Sequence, residues 1–258
     1  MKANVLIAFL AIVFSQLSIA QNNRQSTYNR IGWYNYFGTF KLSPKFGIHT
    51  EYQFRRNDII TEWQQSLLRL GINYQLTPKI QCRMGYAWIE TFPYGEIPLN
   101  GMGRDFTEHR LFQMVTLTDH VSIVDLTHRY MLEQRWVGRY SNTDQTNEDE
   151  FPLLNRFRYM VRMQFPLKGK EIKNKTPYFA MYNEVFIGFG KNVNENIFDQ
   201  NRVGILLGYR INPSIRIEAG FLNQILQLGR ELNNSNVFQY NNGIIVNANF
   251  NMDLTPKK

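Results

Sequence analysis

The sequence predicts an all-β fold, a single closed antiparallel barrel of about 12 strands (10 to 12) that crosses a membrane. Three observations favour it. Apolar residues recur with a period of two through most of the chain after residue 27, as in strands with one buried face. The alternating segments run to about ten residues or more, the length of a tilted membrane-spanning strand. Short turns alternate with longer polar connections, as at the two ends of outer-membrane barrels.

The first residues read as an export signal. Lys2 supplies a positive charge, residues 5–17 form a short apolar run, and Ser18, Ile19 and Ala20 end it with small residues at the cleavage positions. We therefore predict a signal peptide over residues 1–20 and an outer-membrane barrel domain over residues 21–258. The apolar run is too short for a membrane-spanning helix, which needs about 20 residues.

Composition limits the remaining classes. The 258 residues carry a formal net charge of +8 and a single cysteine, Cys82. No disulfide can form within the chain, so a small secreted fold held by disulfides is excluded. We expect Cys82 to fill space on an apolar face.

The alternation defines two faces along each segment. Between residues 80 and 88 the even positions are apolar and the odd positions are Gln, Arg, Gly and Ala. The same split recurs over 45–55, 121–136, 203–211, 215–221 and 238–252, and it is less regular over 62–76 and 104–117. The predicted strands are 28–42, 45–56, 62–76, 79–91, 104–117, 121–136, 152–166, 176–189, 201–212, 214–227 and 237–253.

Proline and small polar residues predict the connections. Short turns are expected at 43–45, 77–79, 118–120 and 212–214, and longer connections at 92–103, 137–151, 190–200 and 227–236. Single-chain bacterial barrels have an even number of strands, which favours twelve over the eleven segments counted. Either residues 22–30 form an extra first strand, or the N-terminal segment crosses the lumen. A soluble or lipocalin-like barrel is the alternative architecture.

Several motifs together resemble a known family. They are "EYQFRR" at 51–56, "EHRLFQ" at 108–113, "HRYMLEQRW" at 128–136, "NRFRYMVR" at 155–162, "YNEVF" at 182–186 and "NRVGILLGYRIN" at 201–212. In this order, over nearly the whole mature chain, they resemble the Bacteroidota outer-membrane barrels of domain of unknown function 2490. The resemblance implies a barrel in a membrane. It implies no activity and no catalytic residue.

Charged residues on the polar face are the candidate functional residues. Arginines exceed acidic residues there by about two to one, and paired Arg and Glu could brace the wall of a narrow lumen. Arginines left free would instead line a small anion-preferring pore. The candidate lumen-lining residues are Arg129, Glu133, Arg135, Arg156, Arg158, Arg162, Glu184, Arg202, Arg210, Arg216 and Glu218.

Catalysis has weaker support. His120 and Ser122 have the His-x-Ser spacing of one lipid deacylase type, but a histidine in a turn is the favoured interpretation. We predict no catalytic residue, no cofactor and no metal site, since the His, Cys, Asp and Glu residues lack metal-ligand spacing. The expected partners are outer-membrane lipid and lipopolysaccharide, with a membrane-protein partner as a further candidate, and no nucleic acid. The apolar segment 92–98 is expected to fold over the mouth or to contact a partner or the interface.

Overall fold

Eleven long strands make up the described part of the chain. The computed structural model describes residues 24–193 and 196–256; the predicted signal peptide lies outside these residues. No helix in the described ranges is long and apolar enough to span a membrane. The strands are β1 (Arg24–Lys41), β2 (Phe46–Asn57), β3 (Glu62–Thr77), β4 (Ile80–Thr91), β5 (Phe106–Val121), β6 (Val124–Val137), β7 (Leu153–Pro166), β8 (Thr176–Phe189), β9 (Phe198–Arg210), β10 (Ile215–Leu232) and β11 (Ser235–Asp253).

The sheet closes on itself. Each strand pairs antiparallel with its neighbours in the chain, and β1 pairs with β11 in parallel, from Arg24 opposite Asn236 to Lys41 opposite Asp253. When strand directions alternate, an odd number of strands makes the first and last run in the same direction. Closure leaves no unpaired sheet edge. The predicted closed barrel is therefore confirmed.

The count of eleven lies inside the predicted range of ten to twelve. The twelfth strand expected from residues 22–30 does not form among the described residues, because residues 24–30 are the start of β1 and pair with β11. Parallel pairing of β1 and β11 is the physical reason that no twelfth strand is needed for closure.

Alternation separates an apolar outer face from a filled interior. Met84 and Leu207 point outward and are 63% and 64% exposed. Inward positions hold buried polar and charged side chains as well as apolar ones such as Phe112, Tyr178 and Phe186. Many interior contacts join strands that are not neighbours in the sheet, which places these side chains inside the barrel.

Aromatic side chains gather on the outer face near both ends of the strands. Phe46 packs on Tyr74 at 5.1 Å between ring centroids, next to the short turns. At the opposite end Phe54 packs on Trp63 at 4.6 Å, and Tyr28 stacks on Tyr240 at 5.2 Å. Outward aromatic pairs thus occur at both ends of the strands, and one further pair, Tyr130 and Tyr159 at 5.0 Å, lies near the middle of β6 and β7.

The two ends of the barrel differ. The connections after β1, β3, β5 and β9 are short, and those after β4 and β6 span 92–105 and 138–152. We call the end that carries these two loops the mouth. Two predicted connections are wrong. Residues 118–120 continue β5, and the chain turns at Ser122 and Ile123. The expected long connection 227–236 is instead strand on both sides of a tight turn at Asn233 and Asn234, which have φ of 51° and 56°.

Candidate functional site

Glu133 is the centre of the charged interior. This β6 side chain is 0% exposed. Its carboxylate accepts hydrogen bonds from Arg156 at 2.6 and 2.8 Å and from Arg158 at 2.8 Å, both on β7. Two further guanidinium groups approach it, Arg110 at 3.8 Å and Arg69 at 3.9 Å. One carboxylate is therefore surrounded by arginines from three strands.

Two further carboxylates, those of Glu108 and Asp199, extend this network toward the mouth. Glu108 on β5 is ion-paired with Arg110 on its own strand and with Arg135 on β6, the latter at 2.6 Å. Asp199 on β9 pairs with Arg156 at 2.6 Å and lies 3.6 Å from Arg135. Because β9 is not a neighbour of β6 or β7, the ion pairs of Asp199 connect strands that do not pair in the sheet.

Other pairs lie around this centre. Glu184 on β8 binds Arg158 at 2.8 Å and Arg129 at 2.9 Å. Glu51 accepts two hydrogen bonds from Arg69, at 2.7 and 2.8 Å. Buried ion pairs such as Glu51–Arg69 resist separation, since removing one partner leaves an uncompensated charge.

Glu218 lies in the part of the charged network that is nearer the short turns. It accepts hydrogen bonds from Arg162 and, at 2.8 Å, from Tyr178. Arg210 donates at 3.0 Å to the carbonyl oxygen of Ile172 in the connection between β7 and β8. Ile172 is buried in an interior apolar cluster, so this connection folds over the short-turn end. Arg216 lies opposite Arg210 in the β9–β10 ladder.

The structure thus gives positions for every candidate lumen-lining residue. Nine of them make the interior contacts of this network or of the arginine pair described next, and Arg210 and Arg216 lie at the short-turn end. Sequence reasoning missed Asp199, because it fell in a predicted connection, and Trp33, because aromatic residues were expected outside.

Two buried arginines have no carboxylate partner among the described residues. Arg55 donates to the side-chain oxygens of Gln53 and, at 2.5 Å, of Gln65. Arg202 donates to Gln200 at 2.9 Å. Both guanidinium groups lie over the ring of Trp33, at 3.8 and 4.7 Å from its centroid. Neither group has a carboxylate within ion-pair distance among the described residues. Glu184, opposite Arg202 in the β8–β9 ladder, and Glu51 attract the two charges only from farther away.

A cavity of about 440 Å³ opens above these arginines at the mouth. Its lining includes Trp33, Arg55 and Arg202, and in all it contains seven arginines and two carboxylates among the described residues. We call it the mouth cavity. Its volume lies within the range of about 300 to 1,000 Å³ that is usual for small-molecule sites. The excess of arginine makes it electropositive.

The loop 92–105 covers part of the mouth. Tyr94 is buried and donates a hydrogen bond to Gln239 on β11 at 2.8 Å. Gln239 in turn donates to the carbonyl oxygen of Ile97 at 2.6 Å, and Arg230 donates to that of Pro98 at 3.0 Å. Since this loop starts on β4, it reaches across the mouth to β10 and β11. The expected folding of 92–98 over the mouth agrees with this geometry.

The substitution Tyr94→Phe tests this attachment. It removes the hydroxyl that bonds Gln239 and leaves a buried amide oxygen without that donor, at a cost of about 1–3 kcal/mol. We expect the loop to detach more often, so that trypsin cuts faster after Arg104 while the barrel stays intact. The rates are compared by limited proteolysis. Tyr209→Phe, on the exposed outer face, is the matched control, and equal cleavage of both variants would contradict the attachment.

Two acidic residues of the loop 138–152, Glu148 and Asp149, bond to the start of β5 and to the loop itself. Glu148 accepts a hydrogen bond from the backbone N–H of Thr107 at 2.6 Å. Asp149 accepts from the N–H of Ser141 at 2.8 Å and from its hydroxyl at 2.5 Å. These bonds from Ser141 hold the pKa of Asp149 below its usual range. The carboxylates therefore order the loop.

The pair His120 and Ser122 lies at the exposed short-turn end. Nδ1 of His120 is 2.8 Å from Asp125, and Ser122 occupies the turn with a φ of 58°. Residues 24–193 and 196–256 contain no group of three or more His, Cys, Asp or Glu side chains placed to hold a metal ion.

Comparison with known families agrees with the motif resemblance. Residues 31–236 match the family described as "Protein of unknown function (DUF2490)". The chain belongs to the DUF2490 family. The match extends from β1 to the start of β11, so this DUF2490 protein carries the family's sequence over nearly all of its barrel.

No curated protein matches the DUF2490 chain. A solved structure described as "NanC porin structure in rhombohedral crystal form" is similar at 13% identity with a TM-score of 0.44, covering 85% of this chain and 97% of that chain.

Proposed function

We propose that this DUF2490 protein is an outer-membrane β-barrel with a structural or accessory role, whose interior is closed by paired charges. The proposal rests on one observation: the distribution of apolar and charged side chains is the reverse of that in a soluble protein. Apolar side chains cover the outside, and buried Arg and Glu fill the inside. A lipid bilayer favours this arrangement, because it hydrates neither charges nor unpaired backbone groups.

The outward aromatic pairs at the two strand ends support the same placement. Outer-membrane barrels carry an apolar band about 25 Å tall with aromatic residues at both interfaces. The outward aromatic pairs Phe46–Tyr74 and Phe54–Trp63 lie at opposite ends of the strands in this way. The short turns would then face the periplasm, and the long loops would face lipopolysaccharide and the exterior.

The filled interior supports a bracing role over transport. Glu133, Arg156 and Arg158 are each at most 5% exposed, so protein atoms enclose almost all of these three side chains. Their bonds connect β6, β7, β8 and β9. Such cross-barrel pairs stiffen the wall and fix the relation between its strands.

Membrane residence is tested by fractionation and gel migration. We expect the native chain in the outer-membrane fraction and, in detergent gels, a faster-migrating band in unboiled samples that is lost on boiling. Recovery of the mature chain as a soluble protein would contradict the proposal and would favour the soluble-barrel alternative.

A small anion-preferring pore is the second candidate, favoured by the arginine excess of the mouth cavity. The two candidates differ in planar bilayers. We expect the bracing role to give no steady conductance at any voltage. Steady conductance with an anion-selective reversal potential in a salt gradient would instead support the pore.

A further inference from the structure

The mouth cavity contains two guanidinium groups, those of Arg55 and Arg202, that form no ion pair with a described carboxylate. Arg55 and Arg202 are 6% and 9% exposed. Their described partners are glutamine side chains, the face of Trp33 and, for Arg202, the face of Phe186. A buried charge normally has a counterion, because its desolvation is otherwise uncompensated. The cavity lies beside both guanidinium groups and is open to solvent at the mouth.

Three neighbouring arginines of the mouth cavity differ from Arg55 and Arg202, because they have carboxylate partners. Arg156, Arg110 and Arg135 also line the cavity, and each is ion-paired with Glu108, Glu133 or Asp199. Those charges brace the wall. Arg55 lies on β2, next to β1, and Arg202 lies on β9, two strands beyond β11. Both guanidinium groups lie over Trp33 of β1, and no described carboxylate is within ion-pair distance of either.

The geometry points to a binding site for a small organic anion in the mouth cavity, with one carboxylate or phosphate group as the counterion of Arg55 and Arg202. Guanidinium groups suit this role, because they present several N–H donors to the oxygens of one anion. Further polar groups are available for the rest of the ligand. Arg230 has a buried Nε without a hydrogen-bond partner and also lines the cavity.

Trp33 fixes the two guanidinium groups in place. Its indole N–H donates to Gln64 at 2.7 Å, so the ring is held while both cations lie over it. A preorganised pair loses little freedom when an anion binds. The site depends neither on membrane residence nor on conduction, so it can hold when the proposed function fails.

Binding is measured by equilibrium dialysis of the full chain, folded in detergent, with radiolabelled succinate and with inorganic phosphate. Succinamide, which has the size of succinate without its charge, is the matched neutral probe, used as an unlabelled competitor. We expect saturable binding of succinate or phosphate that succinamide does not displace. The tighter of the two identifies the oxyanion class.

The variants Arg55→Gln and Arg202→Gln are each expected to weaken binding about tenfold or more, as loss of a charged hydrogen bond does. Arg83→Gln is the control, because this arginine bonds Asn73 at 2.5 Å and does not line the cavity. The inference is overturned by the absence of saturable binding to the native chain, by competition from succinamide equal to that from succinate, or by unchanged affinity in both folded variants. The first two outcomes need no variant.

Discussion

Replacing Glu133 with glutamine is expected to lower the free energy of unfolding by about 3–5 kcal/mol, the usual cost of removing one partner of a buried ion pair. Glutamine keeps the size of the side chain and removes its charge. Arg156 and Arg158 would each lose their bond to this carboxylate, and the nearby charge of Arg110 would add repulsion. The change is measured by urea titration of the barrel in lipid vesicles, and by the temperature at which the fast-migrating gel band disappears.

Glu171→Gln is the matched control. Glu171 is 63% exposed at its side chain and lies 3.5 Å from the exposed Lys173, and exposed pairs contribute at most about 1 kcal/mol. If the two variants unfold at the same urea concentration, the interior network does not carry the stability assigned to it.

A double variant separates charge balance from packing. Arg156→Gln alone deprives Glu133 and Asp199 of their closest arginine. Combined with Glu133→Gln, it removes one positive and one negative charge together. We expect the double variant to lose less stability than the sum of the single losses, with a coupling of about 0.5–3 kcal/mol. Additive losses would show that packing dominates.

The strands of the barrel were predictable because each has one apolar and one polar face. This difference gives a period of two in the sequence, from which the inward arginines and the outward aromatic residues of most strands could be assigned. Strand ends were less predictable. Residues 227–236 read as a polar connection, because the ladder shifts register between Gln227 and Glu231 and the alternation breaks there. The parallel pairing of β1 with β11 follows from the odd number of strands, and no local sequence pattern determines that number.

Interior pairing was not readable from the sequence. Alternation predicts that Arg69 and Glu133 point inward, but they lie on β3 and β6, and their approach depends on the curvature of the closed barrel. Arg135 on β6 and Asp199 on β9 also approach each other only because the barrel closes, and Asp199 fell in a predicted connection. The sequence alone therefore does not show which arginines lack an ion-pair partner, because this depends on their neighbours across the barrel.

The seam between β1 and β11 is expected to tolerate no side chain at Gly243, so Gly243→Ala should prevent closure. A Cβ atom there would contact the carbonyl oxygen of Ile31 and lie 2.6 and 2.8 Å from its carbonyl carbon and nitrogen. Backbone atoms cannot rotate away as a side chain does, and Ile31 is held opposite Gly243 by the ladder. We expect a loss of more than about 3 kcal/mol, above the usual cost of overpacking.

Folding yield measures this effect, as the fraction of refolded chain in the fast-migrating band. Gly101→Ala makes the same chemical change in the loop 92–105, where the nearest atom would be Cδ of Arg230 at an ordinary 3.5 Å, and it should fold like the native chain. Equal yields from both variants would mean that β1 and β11 do not meet as described. A low yield confined to Gly243→Ala would locate closure at this seam, because the new methyl group meets backbone atoms of β1 at Gly243 and only a side chain at Gly101.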